Sequence, residues 1–167
     1  CNTTATRYGN AISIFEDELF VLQTYWSNTY RKVVGLSTSD LSTNGFSLSY
    51  GSGLSSSYYS MDMDVDENTG DVYISYREFN GRMRAYERAT DGSYCASTSC
   101  YTQVYTGARY AISMEVHDNN AYIMGFYYSS YYGGIKKMPT NSLSSVTTVI
   151  SSFTQGTYKG SLAITAV

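Results

Sequence analysis

The sequence predicts an all-β fold, and three observations carry that expectation. The 167 residues hold 19 Tyr and 14 Gly but a single Pro, and only 15% are charged. Tyr, Thr, Val and Ile suit the half-buried, pleated surface of a sheet. Apolar and polar residues also alternate with a period of two, most clearly where Met61, Met63 and Val65 interleave with Asp62, Asp64 and Asp66. That period places the two sets on opposite faces of a strand. Finally, a strand–turn–strand pattern recurs, in "AISIFEDELFVL" from Ala11, "YSMDMDVDENTGDVYIS" from Tyr59, "AISMEVHDNNAYIM" from Ala111 and "SLAITAV" from Ser161. The spacing from Ala11 to Ala111, and from Ile112 to Leu162, fits a period of about 50 residues.

The elements follow in order within each unit. The first unit, 11–58, opens with a strand from Ala11 and turns at Glu16-Asp17-Glu18. It continues with a strand around Phe20, "YRKVVGL" from Tyr30 and "GFSLSY" from Gly45. The second, 59–109, turns across Asp66 to Asp71 with Gly70 supplying a positive φ. Strands around Tyr73, in "GRMRAYE" from Gly81 and in "YTQVYTG" from Tyr101 come next. The third, 110–160, turns at Asp118-Asn119-Asn120 and continues around Tyr122, through "GIKKMP" from Gly134 and "VTTVISSF" from Val146. A terminal strand, 161–167, begins a fourth copy. The length fits one domain over 1–167, large enough to bury a core.

Four short antiparallel strands in each unit of about 50 residues resemble the blades of a β-propeller. The resemblance covers nearly the whole chain, and "VDENTGDVYI" is similar to the first turn of many secreted blades. No specific family signature accompanies it, and the single Trp26 rules out repeated tryptophan motifs. Closed propellers use about 4–8 blades, whereas three units and a leftover strand do not close a ring. The expectation is that Leu162, Ala163, Ile164, Thr165, Ala166 and Val167 pair with another subunit or chain segment. Unpaired edges template such pairing, and donated strands join many assemblies. The alternative is pairing with the chain's own N-terminal "TATRYG".

The acidic run 62–71 raises the question of calcium. Asp64, Asp66 and Asn68 fit positions 1, 3 and 5 of a helix–loop–helix calcium loop, but Thr69 stands where Gly is needed and Ser75 where a bidentate Glu is needed. A strand running into a turn accounts for more of the pattern, leaving a looser calcium turn as the lesser reading. First strands lie innermost in a propeller, so Asp62 and Asp64, with Ser13, Ser113 and Glu115 at related positions, would line a polar cavity. Their expected partners are Arg82, Arg84, Lys136 and Lys137, because buried carboxylates need partners. Asp62, Asp64 and Glu115 are also the available carboxylates for glycoside cleavage. His117-Asp118 is the available pair for a hydrolase triad, although no G-x-S-x-G elbow is present.

Aromatic residues gather where the second and third strands meet: Tyr25 and Trp26 in the first unit, and Tyr127, Tyr128, Tyr131 and Tyr132 in the third. An apolar ring with a polar tip suits lateral contacts or stacking on sugars. Cys95 and Cys100, in a short polar loop, are placed to form a disulfide in a secreted protein. Cys1 resembles the lipidated first residue of a mature bacterial lipoprotein, with an intermolecular disulfide or an arbitrary chain boundary as the rival readings, and Asn2-Thr3-Thr4 fits a glycosylation sequon. A net charge of −3 and a lack of clustered Lys and Arg argue against nucleic acid, and no apolar run is long enough to span a membrane.

These observations favour a non-catalytic, extracellular or surface-attached structural subunit without a cofactor, assembling with copies of itself. The alternatives are a glycan-binding module using the tyrosines, or a fragment of a larger propeller enzyme.

Overall fold

The computed structural model describes residues 7–25, 31–49, 61–76, 81–94, 101–108, 111–127 and 132–154. They form twelve strands and no helix. The first four are β1 (Arg7–Phe15), β2 (Glu18–Tyr25), β3 (Arg31–Ser37) and β4 (Thr43–Ser49). The next four are β5 (Met61–Val65), β6 (Val72–Tyr76), β7 (Arg82–Tyr86) and β8 (Tyr101–Tyr105). The last four are β9 (Ala111–His117), β10 (Asn120–Tyr127), β11 (Tyr132–Pro139) and β12 (Thr147–Thr154). The all-β expectation therefore holds, and among the described residues no helix is long and apolar enough to cross a membrane.

Each consecutive set of four strands makes its own antiparallel sheet, in the orders β1-β2-β3-β4, β5-β6-β7-β8 and β9-β10-β11-β12. Turn chemistry fixes the first hairpins. Asp118 and Asn119 both take positive φ (48° and 57°), which the two-residue turn of a right-twisted hairpin requires and which Asn and Asp tolerate best. Between β5 and β6, Asp66 closes a longer turn. Its N–H donates to Asp71 O (2.9 Å), its carbonyl accepts from Gly70 N–H (2.8 Å), and its Oδ1 accepts from Asn68 N–H (2.8 Å).

The inner strands of the middle sheet are covered on both faces, which is why β6 is buried at every position. Met63, Val65, Val72, Ile74, Tyr76 and Tyr86 pack against Phe20, Leu22 and Val33 of the first sheet. Tyr73, Met83 and Ala85 on the opposite face pack against Met114, Val116, Ala121, Ile123 and Met138 of the third. Among the first strands, β5 lies against β1 on one side and β9 on the other. Register places matching rows across the sheets: Ser13–Phe20–Gly35, Asp64–Tyr73–Ala85 and Glu115–Tyr122–Lys137.

Strand β1 reverses the usual alternation. Ser13 points toward the middle sheet, whereas Ile12 and Ile14 are 69% and 61% exposed on the outer face. They share that face with Val21, Val34, Leu19 and Leu36, their cross-strand partners. A sheet with aliphatic residues on both faces is one built to be covered twice.

Candidate functional site

The densest polar constellation among the described residues lies where β1, β5 and β9 meet. β5 supplies Asp62 and Asp64, which project away from the Met63–Val65 face. Asp62 Oδ2 accepts from Met114 N–H (2.8 Å) and from Ser113 Oγ–H (3.0 Å), while Oδ1 accepts from Met63 N–H (3.0 Å). Asp64 Oδ2 accepts from Val116 N–H (2.7 Å), and its Oδ1 accepts from Ser13 Oγ–H (2.7 Å) and Val65 N–H (2.8 Å). β9 is an edge strand of its own sheet, so the N–H groups of Met114 and Val116 point outward with no neighbouring strand to pair with. The two carboxylates satisfy these donors and join all three sheets.

Burial is the main influence on the Asp62 carboxyl, pushing its pKa up. The bonds from Met114, Ser113 and Met63 work against that push, and the neighbouring charge on Asp64 adds to it. Burial also raises Glu115, assisted by the charges of Asp64 and Asp62 and opposed by His117. A carboxyl raised on folding favours the folded state when protonated. Its contribution is complete below the unfolded pKa and is lost as pH rises through the folded value. Asp62→Asn is therefore expected to flatten the dependence of the urea midpoint on pH as pH rises from the ordinary aspartate range; parallel curves for the two proteins would remove the assignment to Asp62.

The expected cationic partners do not meet these carboxylates. Arg84 occupies the row Met63–Ile74–Arg84 on the opposite face. Its Nε donates to Gln103 Oε1 (3.0 Å), and its guanidinium lies over the rings of Tyr101 (4.2 Å) and Tyr76 (5.2 Å). Arg82 lies over Tyr105 at 5.5 Å, Lys136 donates to Thr148 Oγ1 (2.7 Å), and Lys137 lies over Tyr122 at 5.6 Å. Serine hydroxyls and backbone amides take the place of the cations, which β7 and β11 direct elsewhere.

Asp64, Asp66 and Asn68 do not converge as calcium ligands. Asp64 is spent on the intersheet bonds, Asp66 caps its own turn and is 1% exposed, and Asn68 stands exposed at the turn. Among the described residues no group of three or more His, Cys, Asp or Glu is placed to hold a metal ion. His117 Nδ1 sits 3.6 Å from Glu67 Oε1, linking the third sheet to the β5–β6 turn.

Tyr127 and Tyr132 are backbone partners at the end of the β10–β11 ladder, and Tyr25 ends β2 in register with Arg7. Trp26, Tyr128 and Tyr131 lie outside the described residues, as do Cys1, Asn2, Cys95, Cys100 and the terminal strand 161–167.

One cluster escaped the sequence reading. Arg88, between β7 and β8, reaches back to the β1–β2 turn. Its Nη2 lies 3.4 Å from Glu16 Oε2 and 3.7 Å from Glu18 Oε2, with the guanidinium 5.0 Å from the centre of the Phe15 ring. Its N–H donates to Asp71 Oδ1 (2.8 Å). The signal in the sequence was the acidic turn Glu16-Asp17-Glu18, which invites a cation from elsewhere.

No protein-family model matches the chain, and no curated protein matches it.

Proposed function

We propose that this chain is a non-catalytic structural subunit of an extracellular or surface assembly, built from blade-like repeats and associating with copies of itself. The observation that carries the reading is the use made of Asp62 and Asp64. These carboxylates, which an enzyme would use for acid–base work, have their oxygens engaged by donors from the neighbouring strands. Such geometry serves cohesion between sheets, since a charged acceptor satisfying several buried donors is costly to disturb. The corresponding rows of the three sheets support the repeat. The low charge and abundance of Tyr suit an exported, sticky surface. In this reading residues 162–167 supply a strand to a neighbouring copy, and the Tyr-rich hairpins add lateral contacts.

The test is electron microscopy and sedimentation of the purified chain beside a version lacking residues 161–167. Assemblies from the intact chain that disappear on deletion are expected. Compact monomers from both would overturn the reading.

A further inference from the structure

Within the chain the same kind of contact is made twice. One face of the middle sheet, with the rows Met63–Ile74 and Val65–Val72–Tyr86, lies on the first sheet. The corresponding face of the third sheet, with the rows Met114–Ile123 and Val116–Ala121–Met138, lies on the middle one. The first sheet carries the same rows as Ile12–Val21–Val34 and Ile14–Leu19–Leu36. Val34 is buried in its row, but among the described residues no sheet covers Ile12 and Ile14, which are more than half exposed.

The complementary half of this contact is left over at the other end. The middle sheet meets the third with Asp64 and Tyr73, which share one row. The third sheet carries Glu115 and Tyr122 in that row and turns them outward, with Lys137 beside them. The chain thus holds both sides of one interface on opposite ends of its stack. We infer that a second copy seats the outer face of its third sheet on the outer face of the first sheet, head to tail. In the pattern set by Asp64 and Val116, Glu115 of one copy accepts from the N–H of Ile14 of the next. Tyr122 covers Ile12 and Ile14. Two copies joined this way bring together six sheets, within the roughly 4–8 of closed rings. A head-to-tail contact uses two different patches and needs no symmetric one.

The inference rests on self-association but concerns different residues from the terminal strand, so the two separate experimentally. Sedimentation of four full-length proteins tests it: the unaltered chain, Ile12→Glu/Ile14→Glu, Tyr122→Glu, and a 1:1 mixture of the two variants. The substituted side chains stand on outer faces, so an unchanged urea transition serves as the control for folding. Each variant alone is expected to associate about 100-fold more weakly, because burying these side chains drives the contact and a buried Glu opposes it. The mixture is expected to recover a 1:1 pair, since each variant retains the patch that the other has lost. If both variants assemble like the unaltered chain while deletion of 161–167 abolishes assembly, this contact is overturned and strand donation stands. A variant that stays paired with itself through a single patch would also overturn it. An unaltered chain that remains monomeric would overturn both.

Discussion

Asp64→Ala is expected to lower the stability of the chain by about 3–5 kcal/mol, the largest effect of any single side-chain truncation at the intersheet junction. The carboxylate accepts from Ser13 Oγ–H, Val65 N–H and Val116 N–H, donors on three strands in three sheets. Alanine leaves these donors without that acceptor, in a place where water reaches them poorly. The cost combines lost charge-assisted bonds with the desolvation of groups left unpaired. Urea unfolding near neutral pH measures it, as a lower midpoint at unchanged slope. Asp64→Asn should fall between the two proteins, because its amide keeps one acceptor but presents N–H groups to a donor. A loss below about 0.5 kcal/mol for the alanine variant, the scale of an ordinary surface change, would mean that the carboxylate does not tie the sheets.

Gly81→Ala is expected to cost about 3 kcal/mol or more, although it adds a single methyl group. Gly81 has φ +60°, and a Cβ there would lie 2.1 Å from the carbonyl oxygen of Ala108 and 2.7 Å from Thr106 Oγ1. The nearest atom belongs to the backbone and has no rotamer by which to retreat. Thr106 donates to Gly81 O from both its N–H (2.7 Å) and its hydroxyl (3.1 Å), and Ala108 N–H donates to Thr106 Oγ1 (3.1 Å). Making room therefore breaks the small network that fastens the start of β7 to the segment after β8. The same substitution at Gly107, also at positive φ (69°), meets nothing nearer than Lys136 Cε at 3.9 Å. It isolates the cost of the backbone conformation alone, and equal losses at the two glycines would refute the steric argument.

Strand positions were legible because two local rules agree along most of the chain. Met61 to Val65 alternates cleanly, and Gly, Asn and Asp mark the turns that follow. The partners of Asp62 and Asp64 were less legible for a physical reason. A sequence displays side chains, so arginine and lysine suggest themselves as counter-charges, whereas most of the donors are backbone amides of β5 and β9, which no letter records. The alternation did hold the clue that Arg84 was unsuitable, since it pairs in a row with Met63 and not with either carboxylate. The reversed face of β1 was readable in principle. In "AISIF" the bulky aliphatics Ile12 and Ile14 share a side opposite Ser13, while β2 is apolar on both. That combination signals a sheet covered on both faces, but which neighbour covers each face is a long-range fact.

Every strand lies beside its neighbour in the chain, and this order has a consequence for synthesis. As the polypeptide leaves the ribosome, the first sheet has all its strands once Ser49 has emerged, the middle one once Tyr105 has, and the third once Thr154 has. No strand waits for a distant partner, so pairing proceeds through short loops that close quickly. What must wait is the junction. Asp62 and Asp64 are translated some fifty residues ahead of Met114 and Val116. Until those amides arrive, the nascent middle sheet carries two carboxylates whose final acceptor role is unfilled. The last sheet to dock is thus the one that completes their bonds and locks the stack.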